Sequence, residues 1–179
     1  MTLVERIVAI HRSLRAAGVP HAFGGALALA WCTQQARGTI DIDLNLFVEP
    51  VDIPATLGAL PPGVVWGADD VALLVRDGQA RLWWDTTPVD VFFNTTEFHE
   101  RVADRTRWEP LGGEDLPFLA CRDLAVFKTF FNRTTDWADL EAMADAGTLD
   151  VEAVLGVLVH HLGGQDERIE RLRTLARPG

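Results

Sequence analysis

"GTIDIDLNLF", residues 38–47, decides how the chain is read. From Ile40 to Phe47 apolar and polar residues alternate. Ile40, Ile42, Leu44 and Leu46 fall on one face, and Asp41, Asp43 and Asn45 on the other. That period of two marks a half-buried strand. Aspartate is a poor strand former, because its short carboxylate competes for the backbone. Two on one face of one strand need a reason: either the face is wet or the carboxylates do chemistry. Side chains at i and i+2 lie roughly 6.6 Å apart along a strand, close enough to converge on hard cations, which take oxygen ligands.

Outward from this strand, three further stretches bear on the same question. Upstream, "HAFGG" reads as a short strand running into the helix "GALALAWCTQQ". Gly24 and Gly25 thus stand at a strand-to-helix turn, where bare backbone and a helix N-terminus suit a phosphate, or simply make a tight turn. Downstream, "TPVDVFF" is a strand with Val89, Val91 and Phe93 on one face and Asp90 with Phe92 on the other. A lone aspartate in an apolar strand needs a partner or a metal. If this strand pairs with the first, three carboxylates meet, and either a cation or an arginine, Arg37 being the candidate, relieves their repulsion. Further on, "KTFFNRTTDWAD" sets Lys128 on an otherwise apolar helix, where it snorkels to water or meets an anion. Asp136 and Asp139 follow one turn apart on the next helix, and are also readable as N-capping and ion pairing with Arg133.

Length and composition frame these motifs. The 179 residues suffice for one domain with a real core, and 48% hydrophobic with 23% charged residues excludes a disordered chain. The longest apolar run is far too short to span a membrane. The N-terminus, with Leu3, Ile7, Ile10 and Leu14 at helical spacing, reads as a surface helix rather than a signal peptide. The net charge of −10 argues against non-specific nucleic-acid binding, though not against a local basic site. The arginines of "RIERLRTLARPG" read as a solvated helix face. Cys32 and Cys121 sit in apolar runs with no second cysteine nearby. That predicts no zinc site, no disulfide framework and a reducing, cytoplasmic setting. Trp83 and Trp84 are strand neighbours, one in and one out. His160 and His161 point to different helix faces and cannot form a metal pair.

The expected elements are a helix over 3–17, the strand and helix around Gly24, a strand over 40–48 and a short helix ending near Leu60. Strands follow at "VVWG", "VALLVRD", "ARLWWD" and "PVDVFF", with "RDGQ" as a hairpin turn. A capped helix in "TTEFHERVADR" and a loop at "GGEDLP" lead to helices near 121–131, 135–146, 151–162 and 166–176. The organisation is an α/β (α+β) core over 1–105 and a helical C-terminal part over 106–179, packed on it.

Together, "FGGALALAWCTQQARGTIDIDL", "VDVFF" and the Lys-x4-Arg-x2-Asp-x2-Asp run of "KTFFNRTTDWAD" resemble the polymerase-beta-type nucleotidyltransferase superfamily. The last pattern is similar to the AbiEii-like branch, which includes toxins of toxin–antitoxin systems. The resemblance covers residues 20 to about 146. It implies a mixed sheet flanked by helices, with a helical C-terminal part. It implies transfer of a nucleoside monophosphate from a nucleoside triphosphate to an acceptor such as tRNA, with release of pyrophosphate, and a possible antitoxin partner. A small-molecule, antibiotic-modifying transferase and a non-catalytic nucleotide-binding module are the alternatives. By this resemblance Asp41, Asp43 and Asp90 hold Mg2+ or Mn2+, and Asp90 also takes the acceptor's proton. Gly24, Gly25, Arg37 and Thr39 belong to the triphosphate site, Lys128 touches phosphate, and Asp136 lies near it. Many members carry serine where this chain has Gly25, which leaves only backbone contacts there.

Overall fold

The computed structural model describes residues 1–175. The end of the last expected helix and of the arginine-rich run, residues 176–179, lies outside the described residues. The described chain divides into two compact units, Met1–Leu27 with Gly38–Leu119, and Ala28–Arg37 with residues 120–175.

The first unit is built on a mixed sheet. Helix α1 (Leu3–Ala16) opens on a capping box, in which Thr2 accepts from the Glu5 N–H and the Glu5 carboxylate accepts from the Thr2 N–H at 2.7 Å. It buries Ile7, Ile10 and Leu14, the predicted stripe. After it come β1 (His21–Phe23), α2 (Gly25–Thr33), β2 (Ile42–Leu46), α3 (Ile53–Gly58), β3 (Val64–Val65) and α4 (Ala68–Asp77). Then follow β4 (Gln79–Trp84), β5 (Thr87–Phe93), α5 (Glu97–Ala103), β6 (Arg107–Leu111) and β7 (Glu114–Phe118). The strand order is β3-β4-β5-β2-β1-β7-β6. β2 runs parallel to β5 and antiparallel to β1. Ile42, Leu44 and Leu46 are fully buried, as are Val89 and Val91 beside them. The apolar alternate face therefore anchors β2 and β5 in the core and turns their aspartates the other way. β2 is shorter than expected, since Ile40 lies before it and is exposed.

Three expectations are corrected here. "VALLVRD" is not a strand but most of α4. Asp70 at the helix start accepts from the Gly67 N–H at 2.9 Å, and Gly78 ends the helix at φ 70°. The Asp-Gly pair is thus a helix terminus, and the hairpin turns instead at Asp85–Thr86, with Trp84 opposite Thr87. Arg6 of α1 fixes that turn through Asp85 (2.7 Å) and the Thr87 hydroxyl. Second, "GGEDLP" is not a loop. Gly112 and Gly113, both at positive φ, turn the β6–β7 hairpin, so strands continue to Phe118 and the run of helices begins only at Cys121.

The third correction lies in the second unit, formed by the C-terminal part of α2 with α6 (Cys121–Phe131), α7 (Thr134–Asp145), α8 (Val151–Leu162) and α9 (Glu167–Leu175). Trp137, Leu140, Met143, Val154, Leu158, Ile169 and Leu172 are buried in it. Cys32 and Cys121 are joined in a disulfide, with Cα atoms 5.6 Å apart, although 89 residues separate them in the chain. A bond closing so long a loop contributes about 4.6 kcal/mol in the chain-entropy description. Local cysteine spacing carries no trace of it, and the inference of a reducing setting loses its premise.

One buried pair in the first unit makes stability depend on pH. His21 Nδ1 lies 2.8 Å from the Val19 carbonyl, which can only accept, so Nδ1 carries the proton and donates. His21 Nε2 then accepts from His11 Nδ1 at 3.0 Å. Burial lowers the pKa of both rings, that of His21 to about 4. The folded state therefore keeps the pair neutral, while the unfolded chain takes up protons below about pH 6.5. The stabilisation is present above pH 6.5 and is lost as pH falls towards 4. Urea unfolding at pH 7 and pH 5 is expected to differ by about 2 kcal/mol from His21 alone, the lower pH being less stable. Equal stability at both would contradict the neutral pair.

Candidate functional site

The register of the sheet assembles the site. In the parallel β2–β5 pair Asp43 stands opposite Asp90. In the antiparallel β4–β5 pair Arg81 stands opposite Asp90 from the other side. Arg81 grips Asp90 with both ends of its guanidinium, Nε to Oδ1 and Nη2 to Oδ2, each at 2.7 Å. Its Nη2 is also 4.0 Å from Asp41 Oδ2. The pKa of Arg81 is raised further by the hydrogen bonds it donates to Asp90, then by the charges of Asp90, Asp41 and Asp43. Asp41 sits just before β2, where the Thr39 hydroxyl donates to its carboxylate.

The glycines close the site against β2. The Gly24 N–H donates to the Asp43 carbonyl at 2.9 Å. Gly25 begins α2 at φ 53°, and a Cβ built there would overlap Asp43 Oδ2. The Asp43 carboxylate thus lies against the first residue of α2, in the space a side chain would take. That explains why glycine, not serine, stands at position 25.

The remaining predicted residues form a separate cluster within the second unit. Lys128 is 5% exposed, so it does not snorkel. Its Nζ donates to Asp139 Oδ2 at 2.6 Å and lies 3.7 Å from Asp136 Oδ1. Arg37 pairs with Asp139 at 3.0 Å, not with Asp90. Asp136 accepts from the Arg133 N–H at 3.1 Å and from its Nε at 2.7 Å, at the start of α7. These partners satisfy a buried lysine and two buried carboxylates that would otherwise be costly.

Arg81 is the residue that sequence reasoning missed. With the turn at Asp85–Thr86, counting back from Thr87 opposite Trp84 puts Arg81 opposite Asp90. The sequence marks "ARLWWD" and "PVDVFF" as strands but sets no register between them, so the pairing does not show there. The donor set fits a hard divalent cation in type, being three carboxylates on one sheet face. In placement, among the described residues, no three Asp, Glu, His or Cys side chains are arranged as a metal-holding group, and Asp90 is engaged by Arg81.

No family model matches the sequence, and no curated protein matches it either. Solved structures do. The solution structure of the antibiotic-resistance factor ANT(2'')-Ia is 14% identical, with 97% of this chain and 90% of that chain covered and a TM-score of 0.55. The crystal structure of ANT(2'')-Ia in complex with adenylyl-2''-tobramycin is 12% identical, with 99% and 100% covered and a TM-score of 0.54. This likeness shows the fold alone, a mixed sheet flanked by helices.

Proposed function

We propose that the chain is a nucleotidyltransferase, moving a nucleoside monophosphate from a nucleoside triphosphate to an acceptor and releasing pyrophosphate. The observation that carries this reading is the register of the sheet, which sets Asp43 beside Asp90, with Asp41 just before Asp43 and the Gly24–Gly25 turn against it. Asp41, Asp43 and Asp90 would hold Mg2+ or Mn2+. When bound, such a cation neutralises the triphosphate and its leaving group. The chain's own contributions are then positional and protonic. N–H groups of the first turn of α2 would face the phosphates; the Gly24 N–H, which donates to the Asp43 carbonyl, is not among them. Thr39 holds the Asp41 carboxylate in place. Asp90 accepts the proton of the attacking acceptor hydroxyl. Lys128, Arg37 and Asp136, which the motif resemblance assigns to the triphosphate, form an ion-pair cluster of their own with Asp139 in the second unit.

For the acceptor we favour a small cationic molecule. The chain's net charge of −10 draws cations and repels polyanions, and one structure of like fold carries an adenylyl-modified aminoglycoside. tRNA as acceptor, with a cognate antitoxin, rests on the motif resemblance alone. Incubation with each α-labelled triphosphate, Mg2+ and either an aminoglycoside panel or total tRNA tests both levels. Label on the aminoglycoside is the expected result. Label on RNA would overturn the acceptor, and label on neither would count against transfer.

A further inference from the structure

Asp90 has two claims on it. By the reading above, on which this inference rests, it serves a divalent cation and the acceptor's proton. In the structure both of its oxygens are already taken by Arg81, in the paired geometry that makes guanidinium–carboxylate bonds strong. The same guanidinium leans towards Asp41, at 4.0 Å. A cation bound by Asp41 and Asp90 and the Arg81 guanidinium would therefore draw on the same oxygens and bring like charges together. Coulomb repulsion at such range is large wherever water does not screen it.

We propose that Arg81 and the divalent cation compete for Asp90, so that metal binding is an exchange in which Arg81 releases the carboxylate. Arg81 is built for this. Its side chain is 52% exposed, so it can swing into solvent without opening the core. Its strand neighbours Ala80 and Leu82 are buried and hold the backbone in place. A released guanidinium remains beside the carboxylates and is a ready partner for a phosphate oxygen. Arg81 is thus a positioning residue that neutralises the carboxylates in one state and is free to meet the triphosphate in the other.

Mn2+ binding, followed by the loss of the free-ion electron paramagnetic resonance signal, tests this without any turnover. The proteins are the wild type, Arg81→Met, which keeps the aliphatic stem, and Asp43→Asn. Their folding is checked by thermal unfolding. Removing the competing charge is expected to tighten Mn2+ binding tenfold or more in Arg81→Met, while Asp43→Asn weakens it. In parallel, the 15N resonance of Arg81 Nε is expected to shift saturably on titration of wild type with Mg2+, over the range in which the metal binds. If Mn2+ binding depends on Asp43 but is unchanged or weaker in Arg81→Met, the exchange is overturned and the metal site stands. If Mn2+ binding is the same in Asp43→Asn as in wild type, the metal site itself is overturned and the exchange with it.

Discussion

Asp43→Asn is expected to reduce nucleotidyl transfer by about three orders of magnitude while the melting temperature holds or rises. The substitution keeps the size and shape of the side chain and removes one negative charge. Asp43 is closely built in, opposite Asp90 across β2–β5 and pressed against Gly25. On the proposed reading, losing its charge would remove part of the cation's hold on the triphosphate, and charge neutralisation is the larger share of what phosphoryl transfer needs. Folding needs that charge far less. The strand is anchored by Ile42, Leu44 and Leu46, all fully buried on the other face, and one fewer carboxylate beside Asp41 and Asp90 eases repulsion. Steady-state transfer and a thermal melt on the same preparation separate the two effects. A variant that unfolds while keeping its activity per folded molecule would make Asp43 a structural residue on a wet strand face.

Gly25→Ala is expected to be nearly as damaging, for a different reason. At φ 53° an alanine is strained by about 1 kcal/mol or more, and its methyl group would occupy the place of Asp43 Oδ2. Either the helix start shifts or the carboxylate does, and both misplace the site. A misplacement of about 1 Å costs on the order of a hundredfold in rate. Gly24→Ala provides the contrast. There a Cβ would stand 3.1 Å from Asn45 Nδ2 and Leu119 Cδ1, both ends of side chains that can give way. Transfer rates and melting temperatures of the two variants are expected to rank Gly25→Ala well below Gly24→Ala. Equal rates for both would show that the α2 turn does not hold the site.

The features legible in the sequence are those with short-range signatures. Alternation in "GTIDIDLNLF" and "TPVDVFF" put the aspartates on one face, and strand pairing then needed only the register to join them. Helix α1 was visible in its stripe. The failures came where one local signal has two meanings. Asp-Gly ends helices as well as turning hairpins, and "VALLV" is apolar enough for either element. Only the acidic residues at the start of α4 and the left-handed Gly78 mark it as a helix. Arg81 escaped for a different reason: "ARLWWD" and "PVDVFF" read as strands, but only the two-residue turn at Asp85–Thr86 fixes their register. The Cys32–Cys121 bond and the Arg37–Asp139 pair join residues 89 and 102 positions apart, beyond any spacing rule, whereas Lys128 and Asp139, 11 apart, are the two ends of "KTFFNRTTDWAD". Arginine was rightly anticipated as a rival to metal at Asp90, but tertiary pairing chose Arg81 and gave Arg37 to Asp139.

The central claim is that the face bearing Asp41, Asp43 and Asp90 is a metal-dependent triphosphate site. The melting temperature of the wild type with a nucleoside triphosphate and Mg2+, set beside the same measurement with EDTA and on Asp43→Asn, tests it most directly. A ligand that binds only the folded state at 100 times its dissociation constant adds about 2.7 kcal/mol. The account predicts a rise of several degrees for wild type with at least one triphosphate, abolished by EDTA and by Asp43→Asn. No rise with any of the four triphosphates, or an equal rise in the variant, would contradict it.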